Sequence, residues 1–236
     1  MSNNSHPQQL RSLQKAIDTN YCYDDKGLFL DLSWCDIATD EDVELLVQTI
    51  AGLPKRTNVA LDYTRLIDAN LFRADLGNAS LIGANLFGAN LREACLIGAD
   101  LTGANLTIAD LAEAELIAAN LTRANLNCAN LFRANLFDST LCETTATYAE
   151  LHLADLRSAR LWRANLQNAN MRHANLTGAD TQGAILTETD LRGAKVSVSQ
   201  LWEAAPDLTG VQFDKELQKL VHMRQVHDRL AGRPGR

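Results

Sequence analysis

A five-residue period runs through most of this chain of 236 residues. Every fifth residue from position 61 to position 201 is leucine, except at Ala146, Met171, Thr181 and Val196. A second column, two residues before each leucine, is mostly alanine, and the residue between the two columns is mostly Asn or Asp. No insertion or deletion interrupts the phase. One five-residue structural unit therefore repeats along the chain.

The period excludes both regular secondary structures. Five residues of an α-helix advance about 500°, so successive leucines would spiral around the helix and form no face. Side chains of a strand alternate, so an odd period would send successive leucines to opposite sides. Within one unit, however, Ala and Leu are two residues apart and point the same way, provided that the last two residues turn the chain. Glycine suits such a corner and takes the last place of seven units: Gly83, Gly88, Gly98, Gly103, Gly178, Gly183 and Gly193.

These units carry a known signature, A-(D/N)-L-x-x, seen for example in Ala84-Asn85-Leu86, Ala99-Asp100-Leu101 and Ala104-Asn105-Leu106. The chain resembles the pentapeptide-repeat family over more than half of its length. The resemblance implies an all-β solenoid, a right-handed quadrilateral parallel β-helix with four pentapeptides in each coil. About seven coils would then follow one another along the chain. We predict three segments: a cap at 1–58, the β-helix at 59–205 and a cap at 206–236.

Both predicted caps are expected to be helical, since the open ends of a solenoid expose strand edges that invite pairing with other chains. The N-terminal cap is predicted to contain a short helix around 8–18, then a strand and turn at 28–37. A second helix is predicted from Thr39 or Asp40 to about Gly52. Residues 32–37 match residues 61–66 at one constant offset, which resembles one leucine-rich repeat that feeds into the first coil.

The C-terminal cap is predicted to be a helix over 214–231, with apolar residues that partly face one way. A helix through which two copies dimerise is the alternative interpretation. The pattern of the repeat also weakens between Ser139 and Tyr148, where Ala146 replaces a leucine. Here we expect relaxed packing, and the alternatives are a Tyr148 that leans inward or a bulge of the coil.

Stacking of each unit on the unit one coil further along predicts columns of outward side chains. In two columns most neighbouring charges are opposite: Arg73, Glu93, Glu113, Arg133, and Arg123, Glu143, Arg163. A third column places Ile97, Ile117 and Phe137 above one another, and we call these three residues the apolar ladder. Large apolar groups stacked on a surface are typical of a protein-binding or dimer interface, so the apolar ladder is the candidate binding surface. The alternatives are that a terminal segment covers it or that each residue is tolerated singly.

Charge and composition narrow the function. A net charge of −7 argues against direct nucleic-acid binding through phosphate contacts. The five cysteines lack zinc-like spacing, no apolar run reaches the length of a membrane span, and no secretory signal is evident, so we expect a cytoplasmic protein without metal or cofactor. No catalytic motif appears, and His152 and His173 on neighbouring coils are interpreted as surface residues.

We predict a non-catalytic protein–protein interaction or scaffolding solenoid, with an unknown partner, as a monomer or as a dimer through the C-terminal helix or the apolar ladder. A DNA-mimicking gyrase-binding protein of the quinolone-resistance type is the alternative.

Overall fold

The repeats form a continuous coil in which each unit pairs with the fourth unit after it. The computed structural model describes residues 11–12, 16–17, 21–24, 27–37, 39–53, 57–204 and 208–230. Parallel bridges join equivalent positions of successive coils, from Ala60↔Ser80 to Asn175↔Lys195. Each coil therefore takes four pentapeptides, as the resemblance implies. The leucine and alanine columns are buried and form one core along the coil.

Backbone hydrogen bonds hold neighbouring coils together and explain why regular strands are absent from the repeat units. In a typical unit, Asn105 N–H donates to Ala84 O in the preceding coil at 2.9 Å. Leu106 N–H donates to Asn125 O in the following coil at 2.7 Å, and Ala109 N–H closes a turn onto Leu106 O at 3.0 Å. The turn interrupts the ladder in every unit, so pairing between coils is limited to single bridges.

The Asn or Asp before each leucine has a structural role that the repeat pattern alone does not reveal. The Thr107 N–H is not bonded by a backbone carbonyl and donates instead to the side-chain Oδ1 of Asn105 at 3.2 Å. Where the position holds Ser80, the preceding coil supplies the acceptor, and Ile82 N–H donates to Asp62 Oδ1 at 2.9 Å. An unsatisfied backbone N–H is costly, so a short side chain with an oxygen acceptor is favoured at this place.

The last residue of a unit takes a positive φ, whether it is glycine or not. Arg73 has φ 57°, Gly83 has φ 63° and Gly103 has φ 65°. A β-turn with positive φ at its third residue has the conformation of type II, which favours glycine there. The corner role predicted for the glycines is confirmed.

Two of these corner glycines provide a matched test. A Cβ on Gly83 would lie 2.5 Å from Cε1 of Tyr63, whereas a Cβ on Gly103 would meet nothing within 4 Å. Gly103→Ala is expected to cost about 1 kcal/mol, for a non-glycine residue in left-handed conformation. Gly83→Ala is expected to cost more, because the Tyr63 ring, stacked on Trp34 with centroids 4.5 Å apart, must move. Urea unfolding measures the two stability costs, and near-ultraviolet circular dichroism reports on the aromatic rings. If both variants lose the same free energy of unfolding and their aromatic signals do not change, the packing of Tyr63 on Gly83 is contradicted.

The irregular segment from Ser139 to Tyr148 keeps the register of the coil. Bridges continue through Thr140↔Arg160 and Thr145↔Asn165, so the alternative of a bulge is wrong. Tyr148 does not lean inward either, since 61% of its surface is exposed. Thr144 is fully buried and its hydroxyl donates to Leu121 O at 2.6 Å, which satisfies the polar group inside the core.

Short strands precede the coil. β1 spans Arg11–Ser12, β2 spans Tyr21–Asp24, β3 spans Gly27–Asp31, β4 spans Cys35–Asp36 and β5 spans Asn58–Ala60. β2 pairs antiparallel with β3, and β3 pairs parallel with β5 in the register Leu30↔Val59. This register has the same offset as the sequence match between 32–37 and 61–66, although the likeness to a leucine-rich repeat stays a prediction.

The helix predicted around residues 8–18 is wrong at Arg11–Ser12. These two residues form β1, which pairs parallel with β4. A free strand edge at β4 takes a backbone partner, and this pairing overrides local helix propensity. Ala16 and Ile17 are helical, as predicted, and the remaining residues of the predicted helix lie outside the described ranges.

The helix predicted after this strand region is confirmed. α1 spans Asp40–Gly52, and the hydroxyl of Thr39 accepts a hydrogen bond from Asp42 N–H at 3.1 Å, so Thr39 is the N-cap. Val43 and Leu46 of α1 are buried and belong to the same hydrophobic cluster as the coil interior.

Two helices follow the coil. α2 spans Val198–Glu203 and α3 spans Lys215–Leu230. The repeat predicted to continue to Ala204 therefore ends earlier, because Ser197 and Gln200 form a capping box that starts α2. Leu201 lies in α2 and is still buried, so it occupies its expected place in the leucine column from a helix instead of a coil. Beyond α2 the register changes, and Asp190 bridges to Gln212.

Candidate functional site

The apolar ladder lies on one face of the coil, with one side chain in each layer. Gly98 N–H donates to Ile117 O at 2.9 Å, and Ala118 N–H donates to Phe137 O at 2.9 Å, so the three layers are joined directly. Ile97 exposes 40% and Phe137 38% of its surface, and Ile117 between them is half-buried. Since layers lie about 4.8 Å apart, the ladder is an apolar strip about 10 Å long on a rigid backbone.

A fixed cation borders the ladder at its C-terminal end. The Arg157 guanidinium lies over the Phe137 ring, 5.5 Å from the centroid. Arg157 also donates to Asp155 through Nη2 at 2.6 Å and Nε at 2.8 Å. These hydrogen bonds lower the pKa of the Asp155 carboxyl below its usual value, so the pair stays ionised at neutral pH. The charged pair holds the guanidinium in place beside the apolar strip.

The other end of the ladder carries little side-chain volume. Gly77 continues the column without a side chain, and its N–H donates to Asp75 Oδ1 at 3.2 Å. The neighbouring Cys95 is half-buried, and burial raises the pKa of its thiol above the usual value. A protonated thiol is a poor nucleophile, so Cys95 adds packing rather than reactivity.

The charge ladders pair only in part as expected from the stacking of coils: two ion pairs form, whereas Arg133 and Arg163 lie over the rings of Phe132 and Trp162. Arg73 Nη2 lies 2.7 Å from Glu93 Oε2, and Arg123 Nε lies 2.7 Å from Glu143 Oε2. Exposed pairs of this kind contribute about 0–1 kcal/mol each. These ion pairs place positive and negative side chains next to each other on the surface.

The two histidines on neighbouring coils contact each other. The rings of His152 and His173 meet edge to face with centroids 5.6 Å apart, and Phe132 stacks on His152 at 5.7 Å. His152 Nδ1 lies 2.9 Å from Arg172 O, which fits an Nδ1–H that donates to the carbonyl. In the part of the chain that the structure describes, no three His, Cys, Asp or Glu side chains are grouped to hold a metal ion.

Helix α3 divides its apolar residues between two sides. Val221 is buried and Leu217 packs against the core, whereas Leu220 and Met223 expose 52% and 66% of their surfaces. The apolar residues of this helix therefore share one face only in part, as the sequence-based expectation has it.

Two hollows lie where the coil meets its flanking segments. One of about 510 Å³ is lined by Lys195, Ser197 and Gln200 among others, and one of about 360 Å³ by Thr39, Asp40 and Arg65 among others. Each is lined by several polar side chains together with apolar ones. Among the described helices, none is both long enough and apolar enough to cross a membrane.

A family model described as "Pentapeptide repeats" matches the chain in eight copies. The matched residues are 69–107, 99–138, 124–163, 134–172 and 154–193, which together span more than half of the chain. A search among curated proteins gave no match.

Several solved structures are similar to this chain. HetL from the cyanobacterium Nostoc, a pentapeptide repeat protein involved in heterocyst differentiation regulation, is 28% identical, with 78% of this chain and 82% of that chain covered and a TM-score of 0.36. Rfr23 from the cyanobacterium Cyanothece is 38% identical, with 41% and 60% covered and a TM-score of 0.33. QnrB1, a plasmid-mediated fluoroquinolone resistance protein, is 16% identical, with 72% and 90% covered and a TM-score of 0.36.

Proposed function

The chain belongs to the pentapeptide repeat family, and from this premise we propose that it is a non-catalytic scaffold that binds a protein partner through the apolar ladder. The stacked exposure of Ile97, Ile117 and Phe137 is the observation that carries the proposal. Hydrophobic groups on three successive layers, held by backbone hydrogen bonds, form a preorganised strip that loses little entropy on binding.

The chemistry of the strip defines the partner it suits. An apolar groove or helix face of about 10 Å would cover the ladder, and an acidic group on the partner would lie near the Arg157 guanidinium at its end. Arg157 is already paired with Asp155, so the added charge contributes to orientation more than to affinity.

The ends of the rod serve stability in this proposal. We interpret the segments before and after the coil as caps on a rod of about seven coils, at work in the cytoplasm without a cofactor. Val43 and Leu46 of α1 extend the core at one end, and Leu201 of α2 and Val221 of α3 extend it at the other. Covered ends prevent the rod from stacking into filaments.

The test is affinity capture of partners from lysate of the native host, with wild type compared with Ile97→Asp/Ile117→Asp/Phe137→Asp. We expect a specific partner to be captured by wild type and lost with this variant, because buried unpaired carboxylates cost several kcal/mol at an interface. Far-ultraviolet circular dichroism checks that both proteins fold.

The matched control is Thr107→Asp/Asn127→Asp/Thr147→Asp, which adds three carboxylates at the same place of the repeat unit on another face. This control should retain the partner. Loss of the partner with both variants would contradict a role specific to the apolar ladder.

The gyrase-binding alternative predicts a different outcome. DNA mimicry needs a long row of acidic groups, whereas the described faces carry ion pairs such as Arg73–Glu93 and Arg123–Glu143. Capture of gyrase by wild type and by both variants would favour mimicry over the scaffold.

A further inference from the structure

One face of the rod has no charged side chains over five successive coils. It consists of the units 84–88, 104–108, 124–128, 144–148 and 164–168, all within the described residues, and we call it the neutral face. None of its outward positions holds Asp, Glu, Lys, Arg or His. In the same five coils, each of the other three faces carries several residues of Asp, Glu, Lys or Arg at its outward positions. On a chain with a net charge of −7, this distribution singles out one face.

The neutral face presents both donors and acceptors of hydrogen bonds. Within the described residues, the side-chain amides of Asn125, Asn127 and Asn165 accept hydrogen bonds through Oδ1 from Asn127 N–H, Thr147 N–H and Gln167 N–H, respectively. Their Nδ2 groups have no protein acceptor there and can donate to a partner. The hydroxyls of Thr107 and Thr147 donate to asparagine Oδ1 atoms at 2.7 Å, which leaves their lone pairs free to accept. Amide donors and hydroxyl acceptors on the same face make it complementary to itself.

Large apolar groups lie along one edge of this face. Ile108 exposes 49% and Tyr148 61% of its surface. Phe87, which exposes 37%, lies at one end of the face in the column of Thr107 and Asn127. The edge residue of the central unit is Cys128, an exposed cysteine. Exposed apolar side chains that border a polar, uncharged surface are typical of a protein-binding site, where a partner covers them.

We infer that the neutral face binds the neutral face of a second copy, and that two rods pair side by side. A second copy is the occupant that the charges favour, because this is the face on which two acidic chains approach without desolvating charges or placing like charges opposite each other. The layers of both copies also repeat at the same spacing of about 4.8 Å, so contacts recur at every layer.

The area of the face sets the strength of the pairing. Five layers of about 4.8 Å and a width of about three extended residues give a flat area of roughly 240 Å². A stable interface commonly buries about 800 Å² on each partner. The area of the face is well below that figure, so the dimer is weak and its population rises with protein concentration.

Pairing in this way leaves the apolar ladder exposed and doubles it. The unit of Ile117 and the central unit of the neutral face, 124–128, start two units apart, which is half of a four-unit coil. The ladder and the neutral face are thus on opposite sides of the rod. A dimer would present two ladders facing away from each other, and this consequence rests on the proposed function, whereas the pairing itself does not.

Sedimentation equilibrium of the purified chain of 236 residues, over a series of concentrations, tests the pairing. Wild type should show a reversible monomer–dimer equilibrium, and Thr107→Asp/Asn127→Asp/Thr147→Asp should remain monomeric over the same range. Ile97→Asp/Ile117→Asp/Phe137→Asp should dimerise like wild type. A monomeric wild type at every concentration, or a dimer that survives the first variant, would overturn the inference.

A second measurement does not depend on the folding of those variants. Cys128 lies at the edge of the central unit, so a short bismaleimide should link two copies of wild type through it, and Cys128→Ser should abolish the link. Absence of a Cys128-dependent link would contradict the pairing. Dimerisation through α3 makes a distinct prediction, since Leu220→Asp/Met223→Asp would then abolish the dimer; that result would also overturn the inference.

Discussion

Leu116→Ala is expected to lower the free energy of unfolding by about 2–5 kcal/mol. Leu116 is fully buried, and the leucines of the adjoining layers, Leu96 and Leu136, are buried above and below it. Leu116 N–H donates to Asn135 O at 2.7 Å, and the bridge Cys95↔Glu115 ties the same unit to the preceding coil. These bonds keep the layers at their spacing, so the space left by the missing side chain is not closed by collapse.

The neighbouring residue supplies the control. Ile117→Ala removes a similar volume from a half-buried, outward side chain and is expected to cost less than about 1 kcal/mol. Both variants are compared by urea unfolding followed by far-ultraviolet circular dichroism. A similar loss for the two variants would mean that the inner leucine column is not the main source of stability.

The interior and the corners were predictable because they depend on local spacing. Leu106 and Ala104 are two residues apart and share the interior, as an extended segment requires. Gly103 occupies a place where the chain turns, and its positive φ follows from the same unit. The family resemblance implies four units in each coil, so residues 20 positions apart stack. This offset predicts the stacking of Ile97 on Ile117 and of Arg73 on Glu93.

The features that were missed depend on bonding partners that spacing does not specify. Asn105 was expected only to point outward, yet its Oδ1 satisfies the Thr107 N–H. Arg11 and Ser12 pair with β4 because that edge is available, a tertiary contact that local propensity does not contain. Leu201 fits the leucine column equally well on a coil or on a helix, and the capping box of Ser197 decides for the helix.

The candidate surfaces show a similar division. The apolar ladder was predictable as a stack, but the position of Arg157 over Phe137 depends on side-chain geometry. The neutral face is contained in the sequence, although it becomes visible only when residues are grouped by coil face rather than by order along the chain. Partner identity has no such regularity, because it depends on a surface belonging to another molecule.

Deletion of residues 101–120 is expected to give a folded protein that is shorter by one coil. Asp100 then precedes Leu121, so the Ala–Asp–Leu pattern continues, and Asp100 Oδ1 gains Thr122 N–H in place of Thr102 N–H. Stability in a repeat array is approximately a sum over units and their interfaces, so only the share of one coil is lost. Gel filtration, far-ultraviolet circular dichroism and urea unfolding measure the outcome.

Deletion of 103–120, which does not remove a whole number of units, should fail by contrast. Thr102 then precedes Leu121, and every leucine that follows is shifted out of phase with the inner column. Either the polar residues of the C-terminal half enter the core or its leucines face water, and both cost several kcal/mol over many units. We expect aggregation or loss of the C-terminal coils. A variant as stable as the deletion of 101–120 would contradict the bridge register of the coil.

Deletion of 106–120, which removes three whole units, separates folding from surface assembly. Leucine and alanine stay in phase, so the coil should still form, but everything after the junction turns by one quarter of a coil relative to what precedes it. Ile97 would then stack on Phe132 instead of joining Phe137 through Ile117. The deletion of 101–120 instead places Phe137 next to Ile97. Both deletions remove Ile117 and leave Ile97 stacked on a phenylalanine, but only the deletion of 101–120 keeps Arg157 beside that phenylalanine. If the partner binds the apolar ladder together with Arg157, the shorter deletion should lose more binding although it removes fewer residues, because the surface depends on the register of the full coil and folding depends on the five-residue period.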